Sequence, residues 1–143
     1  ASHFAPRMLG QAIQLYRENF EPSEYLDQPY VSMGVPAVVA QTDAEAEYLA
    51  TSAYQRVLGL MRGQSLKLKA PVTTMDGLWS PAEKMSVDNF YAMAQIGSPD
   101  TVKAGLEMLL EKYDVDEFIF TCDIYDTDKR IENFELLMNI KNA

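Results

Sequence analysis

The sequence predicts an α/β protein in which helices clothe a parallel sheet. Three observations carry that expectation. Segments whose apolar residues recur every three or four positions alternate with short Val-rich and Phe-rich runs, the order of β-α units. Helix-start chemistry recurs between them, at Thr42 to Glu45, Ser80 to Glu83, Ser98 to Asp100 and Asp126 to Thr127. No internal repeat competes with this alternation.

The first five residues, ASHFA, look like the last few of a buried strand. After Pro6, the positions Met8, Leu9, Ala12, Ile13 and Tyr16 form one helical face, which fades near Phe20 before the Pro22 to Pro29 loop. YVSMGVPAVVA, residues 30 to 40, is almost wholly apolar and Val-rich, the pattern of a strand buried on both faces. Pro36 has no amide hydrogen for a sheet ladder, so either a bend near Gly34 or one locally unpaired flank is expected there. Thr42 and Glu45 have capping-box spacing, Ala46, Leu49, Ala50, Ala53, Val57, Leu60 and Met61 make a stripe, and Gly63 stands where that helix ends.

Residues 64 to 79 show no sustained period and read as a short extended piece or an irregular lid. Ser80, Pro81 and Glu83 then start a helix to about Met93, with Val87, Phe90, Tyr91 and Ala94 on one side. Ser98 and Pro99 open another, whose buried face is Val102, Leu106, Leu109, Leu110 and Tyr113. FIFTC, 118 to 122, reads as a central strand, and the closing helix presents Ile131, Phe134, Leu137, Met138 and Ile140. This assignment yields three strands, too few to bury their own edges and faces, so the expectation is part of a larger sheet.

Composition narrows the function. With 12 basic against 21 acidic residues and a net charge of -9, and no basic cluster beyond Lys67 and Lys69, a nucleic-acid surface is unexpected. One Cys and one His give no zinc-type ligand set, and the acids at 123, 126 and 128 lack the glycine and terminal Glu of a calcium loop. No metal site is expected. No apolar run reaches a membrane span, and a soluble, cytoplasmic protein without membrane partners is the expectation.

The succession SHFAPRML, YRENFEPSEYLDQPYV, TDAEAEYLA, GSPDTVKAGLEMLLEKY, DEFIFTCDIYD and KRIENFELLM resembles the C-terminal part of the bacterial-luciferase-like flavin-dependent monooxygenases. The resemblance spans essentially all 143 residues. It implies the C-terminal portion of a TIM (β/α)8 barrel, incomplete and self-associating, with residues 1 to 5, 30 to 40 and 117 to 122 as the sixth, seventh and eighth strands and an insertion at about 64 to 96. For the parent protein it implies reduced FMN, dioxygen and a small organic substrate, with a homo-oligomer and a flavin reductase as partners. The first five strands of such a barrel, which supply most of the flavin pocket, have no counterpart in these residues. The isolated chain is therefore expected to be inactive, and the sequence is expected to begin inside that parent, with a short gene product as the alternative.

Sites of such barrels lie at the carboxyl ends of the strands. That rule selects Ser2, His3, Phe4 and Pro6 at one strand end, and Cys122, Asp123 and Tyr125 at another. His3 is the sole His and is the catalytic candidate, as a flavin hydrogen-bond partner or proton shuttle; the plain alternative is a structural contact. Cys122 ends an apolar run, where a small buried hydrophobe competes with a flavin or substrate contact. Arg7 is the cation expected at the mouth, where it would meet an anionic ligand. Trp79 and the neighbouring methionines are expected to line a substrate pocket or simply to pack the insertion. Gly97 to Asp100 reads as a cap rather than an anion site. The other function class is a non-catalytic partial barrel that acts as an interaction or structural module, its uncovered apolar surface driving association.

Overall fold

A computed structural model of the protein describes residues 6–64 and 67–142. The elements in order are α1 (Pro6–Glu18), β1 (Ser32–Val39), α2 (Asp43–Met61), α3 (Pro81–Phe90), β2 (Gln95–Gly97), α4 (Pro99–Tyr113), β3 (Glu117–Thr121) and α5 (Thr127–Asn142). The expected strand at residues 1 to 5 lies outside the described residues.

The local signals act as their chemistry requires. Thr42 accepts the Glu45 amide at 3.2 Å, but Glu45 turns away to Lys129, so only half of the capping box forms. Ser80 and Glu83 complete theirs in both directions. Gly63 follows α2 at a φ of 66°, a left-handed position that costs glycine nothing. Arg17, in the last turn of α1, donates to the carbonyl oxygens of Tyr113 and Asp114 and so satisfies the carboxyl end of α4.

β1 lies between β2 and β3, and both pairings are parallel. Residues 32 to 36 of β1 pair with β3 and residues 37 to 39 with β2. Pro36 thus stands at the handover, on the last register position with β3 and one short of the first with β2, the locally one-sided ladder that a residue without an amide hydrogen tolerates. FIFTC departs from expectation: β3 is an edge of the described sheet and β1 its centre. β2 departs from expectation as well, since the sequence pattern places Gln95 to Gly97 in the insertion and a helix start.

The described strands do not close into a barrel. One sheet face is covered: Met33 and Val35 pack with Leu9, Ile13, Leu109 and Tyr113, and Ala37 and Val39 with Val102 and Leu137. Phe118 and Phe120 of β3 join the same side. At roughly 1.5 to 3 kcal/mol for each large apolar side chain removed from water, these contacts hold α1, α4 and α5 against the sheet. On the opposite face, Val38 packs beneath Ala46, Leu49 and Ala50 of α2, whereas Ile119 is 53% exposed and Thr121 is exposed. Among the described residues, that side of the sheet is open except at its carboxyl end.

Four expected faces are corrected by this packing. Met8, Ala12 and Tyr16 of α1 are exposed, as are Leu60 and Met61 of α2 and Leu110 of α4. α5 rests on Asn133, Leu136, Leu137 and Ile140, while Ile131, Phe134 and Met138 lie in an exposed apolar groove. The helix carries apolar residues on two sides, and only one of them meets this sheet.

Candidate functional site

All three strands run into helices at the same end, because a parallel strand followed by a helix leaves its carboxyl turn on that side. The three turns are tied together. The Ala40 amide donates to the Gly97 carbonyl at 3.2 Å. Asp43, at the start of α2, accepts the Ser98 amide at 2.6 Å, the first turn of α4. Those hydrogen bonds, the Ser98 backbone foremost and the Thr101 side chain next, hold the Asp43 carboxyl below its ordinary range. Asn133 of α5 accepts the Val39 amide at 2.7 Å from a fully buried position. Gln41 donates to Glu132, and Lys129 bridges Glu45 at 2.6 Å and Glu132 at 2.9 Å.

Beneath this end, on the open side of the sheet, lies a narrow cleft lined by Pro36, Val38 and Thr121 from the strands, Ala53 from α2, Tyr91 and Asp123. Arg56 of α2 grips the Asp123 carboxylate from two nitrogens, Nε at 3.0 Å and Nη2 at 2.5 Å, with both side chains about two-thirds buried. The Tyr91 hydroxyl donates to the Ala53 carbonyl at 3.3 Å. Burial first, and the charge of Asp123 second, raise this hydroxyl well above the phenol range, so it remains a neutral donor. Rings continue outward from it: Tyr91 to Tyr54 at 5.6 Å, then Tyr54 to Trp79 at 6.0 Å between centroids.

The structure brings together some of the residues selected from sequence. Cys122 and Asp123 share the end of β3, with Asp123 facing the cleft. Cys122 is half-buried against Val38, Ala40 and Ile124, and this burial raises its thiol pKa, which leaves it a weak nucleophile. Tyr125 is exposed, its carbonyl accepting from Arg130 at 3.5 Å. Trp79 packs with Tyr54 on the α2 and α3 side, joined to Asp123 only through the run of rings. Ser2, His3 and Phe4 fall outside the described residues; Arg7 stands in the first turn of α1, with its side chain outside the description. Beside Asp123 the described cation is Arg56, a residue the sequence reading does not select. The sequence signal for Arg56 is its charge in the otherwise uncharged run AYQRVLGLM, a cation on a helix that packs on the sheet. The helical spacing places Tyr91 on a buried face and says nothing of its hydroxyl.

Among the described residues, no three His, Cys, Asp or Glu side chains come together as a metal-ligand set. No described helix is long and apolar enough to cross a membrane.

A parallel sheet flanked by helices, short of closure and with its turns gathered at one end, defines a partial β/α barrel. Its sequence relates the chain to a luciferase-like monooxygenase. It is 40% identical to the luciferase-like monooxygenase of Escherichia coli (strain K12) over 141 residues, 99% of this chain and 42% of that protein. The uncharacterized protein YvbT of Bacillus subtilis (strain 168) is 39% identical over 140 residues, 98% of this chain and 42% of that protein. The crystal structure of apo-MsnO8 shares the fold, with a TM-score of 0.77 at 21% identity over 99% of this chain and 43% of that one. The chain thus spans about two-fifths of the length of the curated relatives it matches. No family model matches it.

The described residues do not form a complete seat for FMN. A flavin phosphate wants a free cation or an open helix N-terminus. At the carboxyl end of this sheet, Arg56 is held by Asp123, Lys129 by two carboxylates, and Arg130 by the Ile124 and Tyr125 carbonyls. The Ser98 amide at the start of α4 is taken by the Asp43 carboxylate, whose charge opposes a second anion.

Proposed function

We propose that the chain is the C-terminal part of a flavin-dependent monooxygenase of the luciferase-like class, which uses reduced FMN and dioxygen on an organic substrate. The observation that carries this reading is the combination of 40% identity across nearly the whole chain with a parallel sheet that is open along one face and at its edges. Strands from the remaining part of the parent would pair on those edges and close the cylinder. The open face, with Gly34, Pro36, Ile119 and Thr121, then becomes lumen, and the cleft at Arg56, Asp123 and Tyr91 becomes part of the wall at the catalytic end. In this reading the chain supplies a wall for the flavin and substrate, and the phosphate seat comes from the missing strands. A flavin reductase is the proposed source of reduced FMN, and the parent is proposed to be a homo-oligomer.

The test compares FMN binding by this chain and by its full-length parent, followed by flavin fluorescence. The parent should bind and the 143-residue chain should bind far more weakly. Absence of binding by the parent would remove the monooxygenase reading.

A second reading, a partial barrel that works as an interaction module, is favoured by the exposed apolar groove of Ile131, Phe134 and Met138 on α5. In that case the parent chain binds no flavin while the isolated chain associates specifically through this groove.

A further inference from the structure

A separate cleft lies between the middle of α2 and the start of α3. Tyr54 and Trp79 form its aromatic wall, Met75 its apolar floor, and Glu47 and Asp88 stand at its rim. It already holds an ammonium group, that of Lys84, whose Nζ lies 5.8 Å from the Trp79 ring centroid and 2.7 Å from the Asp88 carboxylate. An aromatic face beside a carboxylate is the arrangement that attracts ammonium ions, through the ring quadrupole and the charge together.

The resident lysine does not satisfy the cleft. Among the described residues Glu47 is met only by the neutral Tyr54 hydroxyl, at 3.3 Å, while Lys84 pairs with Asp88, so the Glu47 carboxylate has no cation partner there. The Lys84 side chain is 54% exposed and its pair with Asp88 spans one helical turn at the surface, a contact that holds weakly and exchanges readily. No third acid completes a metal-ligand set among the described residues, and an aromatic wall suits a weakly hydrated organic ion better than a hydrated metal ion.

We propose that this cleft binds an organic cation, an alkylammonium on a small apolar body, which displaces the Lys84 ammonium from Trp79. The site is independent of the monooxygenase reading and needs neither flavin nor the missing strands.

Trp79 is the only Trp, so its fluorescence reports on the cleft directly. The experiment titrates the 143-residue chain, at fixed ionic strength, with choline and with its uncharged isostere 3,3-dimethylbutan-1-ol. Choline should give a saturable change with a Kd of about 1 mM, a modest affinity in keeping with one cation-π anchor and a rim charge. The isostere should bind at least about tenfold more weakly. Glu47→Gln should weaken choline about fivefold, and Lys84→Gln, by removing the competing ammonium, should tighten it about threefold. Equal binding of the isostere, no saturation by choline, or unchanged or weaker choline binding by the Lys84→Gln chain would each overturn the proposal.

Discussion

Asn133 is the point at which α5 holds the end of the central strand, and its replacement tests how the carboxyl end of the sheet is fixed. The side chain is fully buried; its Oδ1 accepts the Val39 amide at 2.7 Å, while its Nδ2 has no partner among the described residues. Asn133→Ala strands the Val39 amide hydrogen in the core, at about 1 to 3 kcal/mol. The space left behind adds about 1 kcal/mol, and removal of the unpartnered Nδ2 returns a similar amount. The net loss should be about 2 kcal/mol, read as a lower urea midpoint with an unchanged slope. Asn133→Asp separates the hydrogen bond from mere space filling, because it retains the acceptor. Burial would raise the folded-state pKa of the new carboxyl above its unfolded value of about 3.9. Its stability should therefore approach that of the unsubstituted chain below that value and fall as pH rises through the folded pKa. An Ala variant within about 0.5 kcal/mol of the unsubstituted chain, or an Asp variant equally stable in acid and at neutral pH, would refute the reasoning.

Other outcomes follow from the same geometry. A Cβ at Gly97 would lie 2.7 Å from Thr101 Cγ2 and 2.8 Å from both Thr101 Cβ and Asp43 Oδ1, so Gly97→Ala should destabilise by about 1 to 3 kcal/mol, measured by thermal or urea unfolding. The Glu83 carboxyl is held down to about 2, chiefly by Arg62 and then by the Ser80 amide. Because that pKa lies below the ordinary value of 4.5, the stability it adds is present above pH 4.5 and is lost as pH falls toward 2; Glu83→Gln should flatten this part of the stability curve. The Cys122 thiol, raised by burial, should react with a disulfide reagent much more slowly in the folded chain than in urea, and equal rates would contradict its placement. Met138→Lys places a charge in the exposed groove of α5 and should reduce self-association in sedimentation at little cost in stability, since Met138 is 55% exposed.

What the sequence determined by itself was local. Ser80 and Glu83 close a capping box within four residues, Pro99 begins a helix, Gly63 ends one, and a Val-rich run makes a strand wherever it is placed. The resemblance carried by those segments in order also made the family relation legible. Tertiary structure decided which face of each element found a neighbour. β2 has only three residues, too few for a periodic signal, and pairs because β1 offers it an unfilled flank beyond Pro36. α5 carries two apolar sides, and the position of Asn133 against Val39 selects one of them. Arg56 meets Asp123 across 67 positions of sequence, a pairing that no local spacing encodes. Capping and turn energies are set by neighbours in the chain, whereas burial and ion pairing depend on distances that exist only once the sheet has brought remote segments together.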